Sequence, residues 1–264
     1  MQQLKNHQLT KKKMNRKIIA TSILLNLSML CHALNFDKNM CYDFDGKLGA
    51  TELQFSIFIP DSGNVLKGNY CYKKYDTKIQ LIGQLNCDQI ELTEYHNGKP
   101  NGHFIGKVFT DNQDRFEGTW TDSSGTKHLD FKMALSSASY ASAWNHRYTD
   151  FSGTDEDVEN FMKKVKSAIL KGDKEWMASH IRYPISASLN GKKSTKIKSK
   201  QQLIDNFDKV FYQAFKDNIK SSCVCNMFNN YQGTMLGSGI IWITDNSNTT
   251  KVKLDYQIIA INNR

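Results

Sequence analysis

From Leu53 to Leu135 the apolar residues come in short runs spaced two apart, the period of a strand with one buried face. In "LQFSIFI" Leu53, Phe55, Ile57 and Ile59 share a face, and "PDSGN" turns the chain. "KGNYCYKKY", "KIQLIGQL", "QIELTEY", "HFIGKVF", "RFEGTW" and "HLDFKMAL" continue the pattern. "NGKPNG" and "DSSG" supply Gly and Asn where tight hairpins need positive φ. Gly68, Gly83, Gly106 and Gly118 recur inside the strands, which marks bulges or close sheet packing. Residues 34–135 therefore read as an all-β antiparallel meander, curved or barrel-like.

The period changes after residue 153. "TDEDVENFMKKVKSAILKGD" predicts a helix with a capping box at Thr154 and Asp157 and acids in its first turn. Its apolar stripe is Val158, Phe161, Met162, Val165, Ala168 and Ile169. Gly172 ends this helix and Asp173 caps a short second one, which stops near Arg182 because Pro184 follows. Ile185, Ala187 and Leu189 then alternate, and Asn190-Gly191 turns the strand into "KKSTKIKSK". Ser199 and Gln202 open one further helix with Leu203, Ile204, Phe207, Val210, Phe211, Ala214 and Phe215 on its apolar side. Strands over 222–229, 233–244 and 251–261 close the pattern, the last with Val252, Leu254, Tyr256, Ile258 and Ala260 on one face. The small, polar stretch 136–152 between the halves reads as a linker, so that 34–135 and 153–264 are expected to fold separately.

Charge and cysteines set the compartment. Residues 1–33 hold six basic residues and no acid, then an apolar stretch from Ile18 to Leu30 and a small residue at Ala33. That is the order of a signal peptide cleaved after Ala33, with Met1 or Met14 as the start, and it implies a periplasmic location. The stretch of 13 residues falls short of the roughly 20 of a membrane-spanning helix. Without this segment the net charge of +9 becomes +3, divided as −3 over 34–150 and +6 over 151–264. Cys41, Cys71, Cys87, Cys223 and Cys225 remain, an odd number in an oxidising compartment, so disulfides are expected with at least one cysteine left over. None has metal-ligand spacing, and no metal or cofactor is expected.

The order of elements, with "GDKEWMASHIRYPI", "KIKSKQQLIDNFDKVF" and "GTMLGSGIIWI", resembles the cone-shaped α+β domain of the nuclear transport factor 2-like superfamily as found in exported bacterial proteins. The resemblance covers about 153–262. It implies a cone with a cavity near His180, Tyr183, Asp208, Tyr212 and Trp242, and so, with the β-meander before it, an α+β class. No catalytic motif of such enzymes is reproduced residue by residue, so no catalytic residue is assigned. In the first half Glu94 with His96, two apart on a strand, could share a proton or an ion, and Glu117 stands near Trp120, but no third ligand accompanies either pair.

Fold resemblance does not fix function in so varied a superfamily. The binding candidates are His180, Tyr183 and Trp242 at the cavity and Lys192, Lys193, Lys196, Lys198 and Lys200 on the hairpin. Together they suggest a non-enzymatic exported binding protein, best read as an immunity-type protein that neutralises an envelope-acting enzyme, with a secreted effector or hydrolase as partner. The alternatives are a binder of a small ligand or cell-wall fragment and an enzyme of the superfamily. Nucleic acid is not expected as a partner, because the lysines lack interleaved aromatics.

Overall fold

The computed structural model describes residues 36–63, 65–110, 112–247 and 254–264. The signal-peptide reading and Val252 lie outside them. The alternation of the first half produces eight strands: β1 (Met40–Leu48), β2 (Thr51–Ile59), β3 (Val65–Tyr72), β4 (Ile79–Asn86), β5 (Gln89–His96), β6 (Lys99–Phe109), β7 (Arg115–Asp122) and β8 (His128–Tyr140). Each pairs antiparallel with the next, and β1 also pairs with β8, Met40 opposite Tyr140 and Leu48 opposite Phe131. The meander thus closes into an eight-stranded barrel.

This corrects the expected fold class, an all-β antiparallel meander domain followed by an α+β cone: the chain is mostly β and organised on a closed barrel. Closure depends on β1, which the sequence pattern did not reveal. Tyr42, Phe44 and Leu48 point into the core, and Gly46 interrupts their alternation. The interior is packed by rings, with Phe116 and Phe131 centroids 4.7 Å apart and Phe55 and Phe104 5.5 Å apart. The strand glycines do serve close packing: a Cβ on Gly83 would run into the Glu91 carbonyl, and one on Gly118 into that of Ile105.

In the second half α1 (Asp155–Lys171) starts on the expected capping box and ends at Gly172 in the left-handed conformation, φ 77°. Asp173 caps α2 (Lys174–Ser179) by accepting from Trp176 N. β9 (Ile185–Ser188) and β10 (Ser194–Ile197) form the hairpin. The single helix expected after Ser199 is two, α3 (Lys200–Val210) and α4 (Gln213–Ser221), because Phe211 and Tyr212 leave helical geometry and Tyr212 OH donates to Asn263 O. The strand expected over 233–244 is also two. Gly237 and Gly239, both at positive φ, turn β12 (Gly233–Leu236) back into β13 (Ile241–Asp245), between β11 (Phe228–Asn230) and β14 (Tyr256–Ile261).

The expected cone is not present. β9–β10 and β11–β14 are separate sheets, and the space between helices and sheet is filled by Met162, Phe207, Phe211, Phe215 and Ile243, all buried.

A polar, buried junction joins the barrel to this second half. β8 continues to Tyr140, and the connection that follows carries Arg147, 3% exposed, back onto the barrel wall. Its Nη2 donates to Asp43 Oδ1 at 2.6 Å and its Nη1 to Oδ2 at 2.9 Å, a bidentate pair with a carboxylate that is 0% exposed. Ser56 and Ser137 hydroxyls also donate to that carboxylate. Burial by itself would pull the Arg147 guanidinium down, but the charge and hydrogen bonds of Asp43, together with Cys41 and Tyr148, outweigh it and hold the group well above its ordinary value.

The segment 222–227 forms the other side of the junction. Val224 N donates to Asp76, Asn226 Nδ2 donates to Asn69 at 2.6 Å, and Cys225 is disulfide-bonded to Cys71 on β3. That bond joins residues 154 apart, a loop whose closure is worth about 5 kcal/mol on chain-entropy grounds.

Removing one partner of a buried pair strands the other. Arg147→Ala should lower the unfolding free energy by about 3–5 kcal/mol in urea titration. Lys132→Gln, which removes an exposed partner of Glu117, should change it by under about 1 kcal/mol.

Candidate functional site

The residues singled out around His180 are separated by the fold. His180 closes α2, and its ring stacks on Trp176, centroids 4.0 Å apart. Nδ1 lies 2.7 Å from Trp176 O; a carbonyl only accepts, so Nδ1 carries the proton. Its backbone is tied to β14, with Ile258 N donating to His180 O and Arg182 N to Ile258 O. His180 lines a cavity of about 310 Å³ with Asp157, Asp255 and Tyr256. Tyr183 and Trp242 are not among its lining residues.

Tyr183 OH instead donates to Ala178 O at 3.0 Å, and burial pushes the phenol up to about 12. Trp242 is half-buried on β13, opposite Met235. Asp208 is exposed and bridged by Lys174 and Lys216, whose charges hold its carboxyl below the usual range, the Lys174 hydrogen bond most of all. Tyr212 is spent on Asn263. His180, Tyr183 and Trp242 therefore do not converge on one site.

The two carboxylates noted in the first half also part from their expected neighbours. Glu94 follows Ile90 and Leu92 into the barrel on the regular alternation of β5, 3% exposed, whereas His96, beyond a register shift between Glu94 and Tyr95, is exposed. Glu94 accepts from Tyr70 OH, Trp120 Nε1 and Asn101 Nδ2, which closes one polar end of the core. Trp120 faces inward with Phe116 on the alternation of β7, opposite to Glu117, which bonds Arg115 and Lys132 on the outer face.

The lysines behave differently. Lys192, Lys193, Lys196, Lys198 and Lys200 are all exposed, and none has an acidic partner among the described residues. Their scaffold is firm. Asn190 and Gly191 take the positive φ expected of the turn, Asn190 N donates to Lys209 O, and Ile185 and Ile197 are buried beneath. Asn263, 1% exposed, fastens β9 from behind: its amide bonds Ser188 N, Ser188 O and Val210 O, each at 2.7 Å.

Two further clefts lie where the barrel meets the second half, and sequence reading found neither. One, of about 690 Å³, sets Gln54, Ser136 and Ser137 of the barrel against Ser221, Ser222, Cys223 and Phe228. Gln54 Oε1 there is buried without a hydrogen-bond partner. The other, of about 590 Å³, gathers Asp76, Asp155, Glu156 and Glu159 with Lys78, Lys163 and Arg147. Glu159 is 6% exposed and accepts from Lys78, from Tyr148 OH at 2.9 Å and from Asn226 N. Among the described residues, the His, Cys or acidic groups whose ligand atoms converge are Cys71, Cys223 and Cys225, and two of those sulfurs are bonded to each other. "CVC" at 223–225 was the available signal for that cluster.

No family model matches this chain, and none of the curated proteins does either. No helix among the described residues is long and apolar enough to cross a membrane.

The half-buried ring of Trp176 supports its surroundings more than His180 does. Trp176→Ala should cost about 2 kcal/mol in thermal or urea unfolding, below the value for a fully buried ring. Tyr183→Phe, which orphans the Ala178 carbonyl, should cost about 1 kcal/mol, and His180→Gln less than either.

Proposed function

We propose that this is a non-enzymatic, exported binding protein of the inhibitory kind, an immunity-type protein that docks an acidic secreted effector or hydrolase and neutralises it in the envelope. The observation that carries the reading is the hairpin flank, where five exposed lysines stand on a fixed scaffold with no acidic partner among the described residues. Charge left unpaired on an ordered surface steers a complementary partner, because the long-range field speeds encounter before any contact forms. Ordering the scaffold beforehand removes part of the entropy cost of docking. The packed barrel and the filled space behind α3 and α4 support a surface function over an interior one.

The orphan Gln54 Oε1 in the 690 Å³ cleft favours a second reading, a polar small ligand such as a cell-wall fragment whose donors would satisfy it. It gives the test a second arm.

Mature protein is used to capture partners from envelope extract, beside a variant with Lys192, Lys193, Lys196, Lys198 and Lys200 changed to Gln. The expected result is an acidic secreted enzyme that loses activity on binding, with an association rate about ten-fold slower for the variant at low salt and a smaller gap at about 0.15 M. A captured enzyme bound equally well by both proteins at every salt concentration would remove the hairpin from the account. A melting shift with cell-wall fragments, lost in Gln54→Ala, and no enriched protein would replace the first reading with the second.

A further inference from the structure

Cys71, Cys223 and Cys225 hold three sulfurs within 4.8 Å of one another at the junction. The local fold explains the arrangement. Residues 222–224 lead from α4 into a turn at Cys225, and there the sulfurs of Cys223 and Cys225 both reach Cys71 while Val224 between them is buried in the core of the second half. Both cysteines meet Cys71 of β3. Cys225 is bonded to it, and Cys223 is a free thiol, half-buried, in the wall of the 690 Å³ cleft. The other free thiol, Cys41, is 1% exposed and packs with Phe58 and Ala141.

We propose that the three cysteines form a thiol–disulfide exchange site, in which Cys223 can take Cys71 from Cys225. The Cys223 thiolate attacks Cys71 Sγ; the Cys71–Cys223 bond forms as the Cys71–Cys225 bond breaks. Cys225 leaves as a thiolate and takes up a proton equivalent to the one Cys223 gave up. Nothing is oxidised or reduced overall, so no outside oxidant or reductant is needed. The exchange shifts the covalent anchor of the 222–227 segment by two residues and withdraws the free thiol from the cleft wall into the buried position now held by Cys225.

The surroundings hold the exchange slow at neutral pH. Burial pushes the Cys223 thiol up to about 12, and Asp76 of the β3–β4 loop adds to this. The Cys225 backbone and Lys166 of α1 oppose it, and Asp45 and Lys73 are the charged groups across the cleft. Only the thiolate attacks, so the rate should rise about ten-fold per pH unit over the neutral to mildly alkaline range.

The test uses the intact protein held at pH 7, 8 and 9, quenched in acid and denaturant, alkylated there with a maleimide and digested without reduction. Tandem mass spectrometry then locates the label within the peptide joined to Cys71. The expected result is two species, one labelled on Cys223 and one on Cys225, whose interconversion quickens with pH. Label on Cys223 alone at every pH would overturn the proposal. Cys225→Ser gives an independent reading: it should contain a Cys71–Cys223 bond and retain a native near-UV spectrum. Cys71 and Cys223 both alkylated in a natively folded Cys225→Ser protein would also overturn it.

Discussion

The ion pair of Arg147 with Asp43 is the constraint on which the two halves depend. A carboxylate on a barrel strand with no exposed surface is costly to bury, and it is accepted here because four donors converge on it, two from one guanidinium. Arg147 arrives from outside the barrel, and its Nη1 also reaches the carbonyls of Asn226 and Met227. One side chain therefore holds the barrel wall, the connection after β8 and the segment entering the final sheet. Tyr148, the next residue, extends the link: it donates to Glu159 of α1 and accepts from Met227 N.

This arrangement assigns different tasks to different parts of the surface. The barrel interior is filled with rings, and its Glu94 is fully used by three internal donors, so the barrel acts as a platform. The second half hangs from that platform by polar contacts and by a disulfide, which leaves clefts along the seam with unsatisfied atoms at Gln54 and Asn226. Far from being spent on such links, the hairpin lysines have no acidic partner among the described residues.

Much of the local structure was legible in the chain because it depends on near neighbours. The Thr154–Asp157 box, the Gly172–Asp173 corner and the Asn190-Gly191 turn each need only residues a few positions apart. Barrel closure was not, since it depends on β1 meeting β8 almost a hundred residues later, and β1 carries buried Asp43 where the alternation rule expects either a core apolar or a wet polar side chain. Arg147 was hidden for the same reason, lying in a stretch whose composition reads as a linker while its partner sits on the first strand. The cone resemblance failed because element order does not say which strands share a sheet. The three binding candidates His180, Tyr183 and Trp242 shared an expected cavity that other aromatics fill.

The central claim is that the Asp43–Arg147 junction makes barrel and second half one cooperative unit. Hydrogen exchange read peptide by peptide across a denaturant series, with the Cys71–Cys225 bond reduced and blocked so that only non-covalent contacts remain, tests it most directly. The account predicts that amides of β2 and β6 and those of α3 open together, with one free energy and one denaturant dependence. Two separate openings, with α3 and the final sheet exchanging well before the barrel strands, would contradict it.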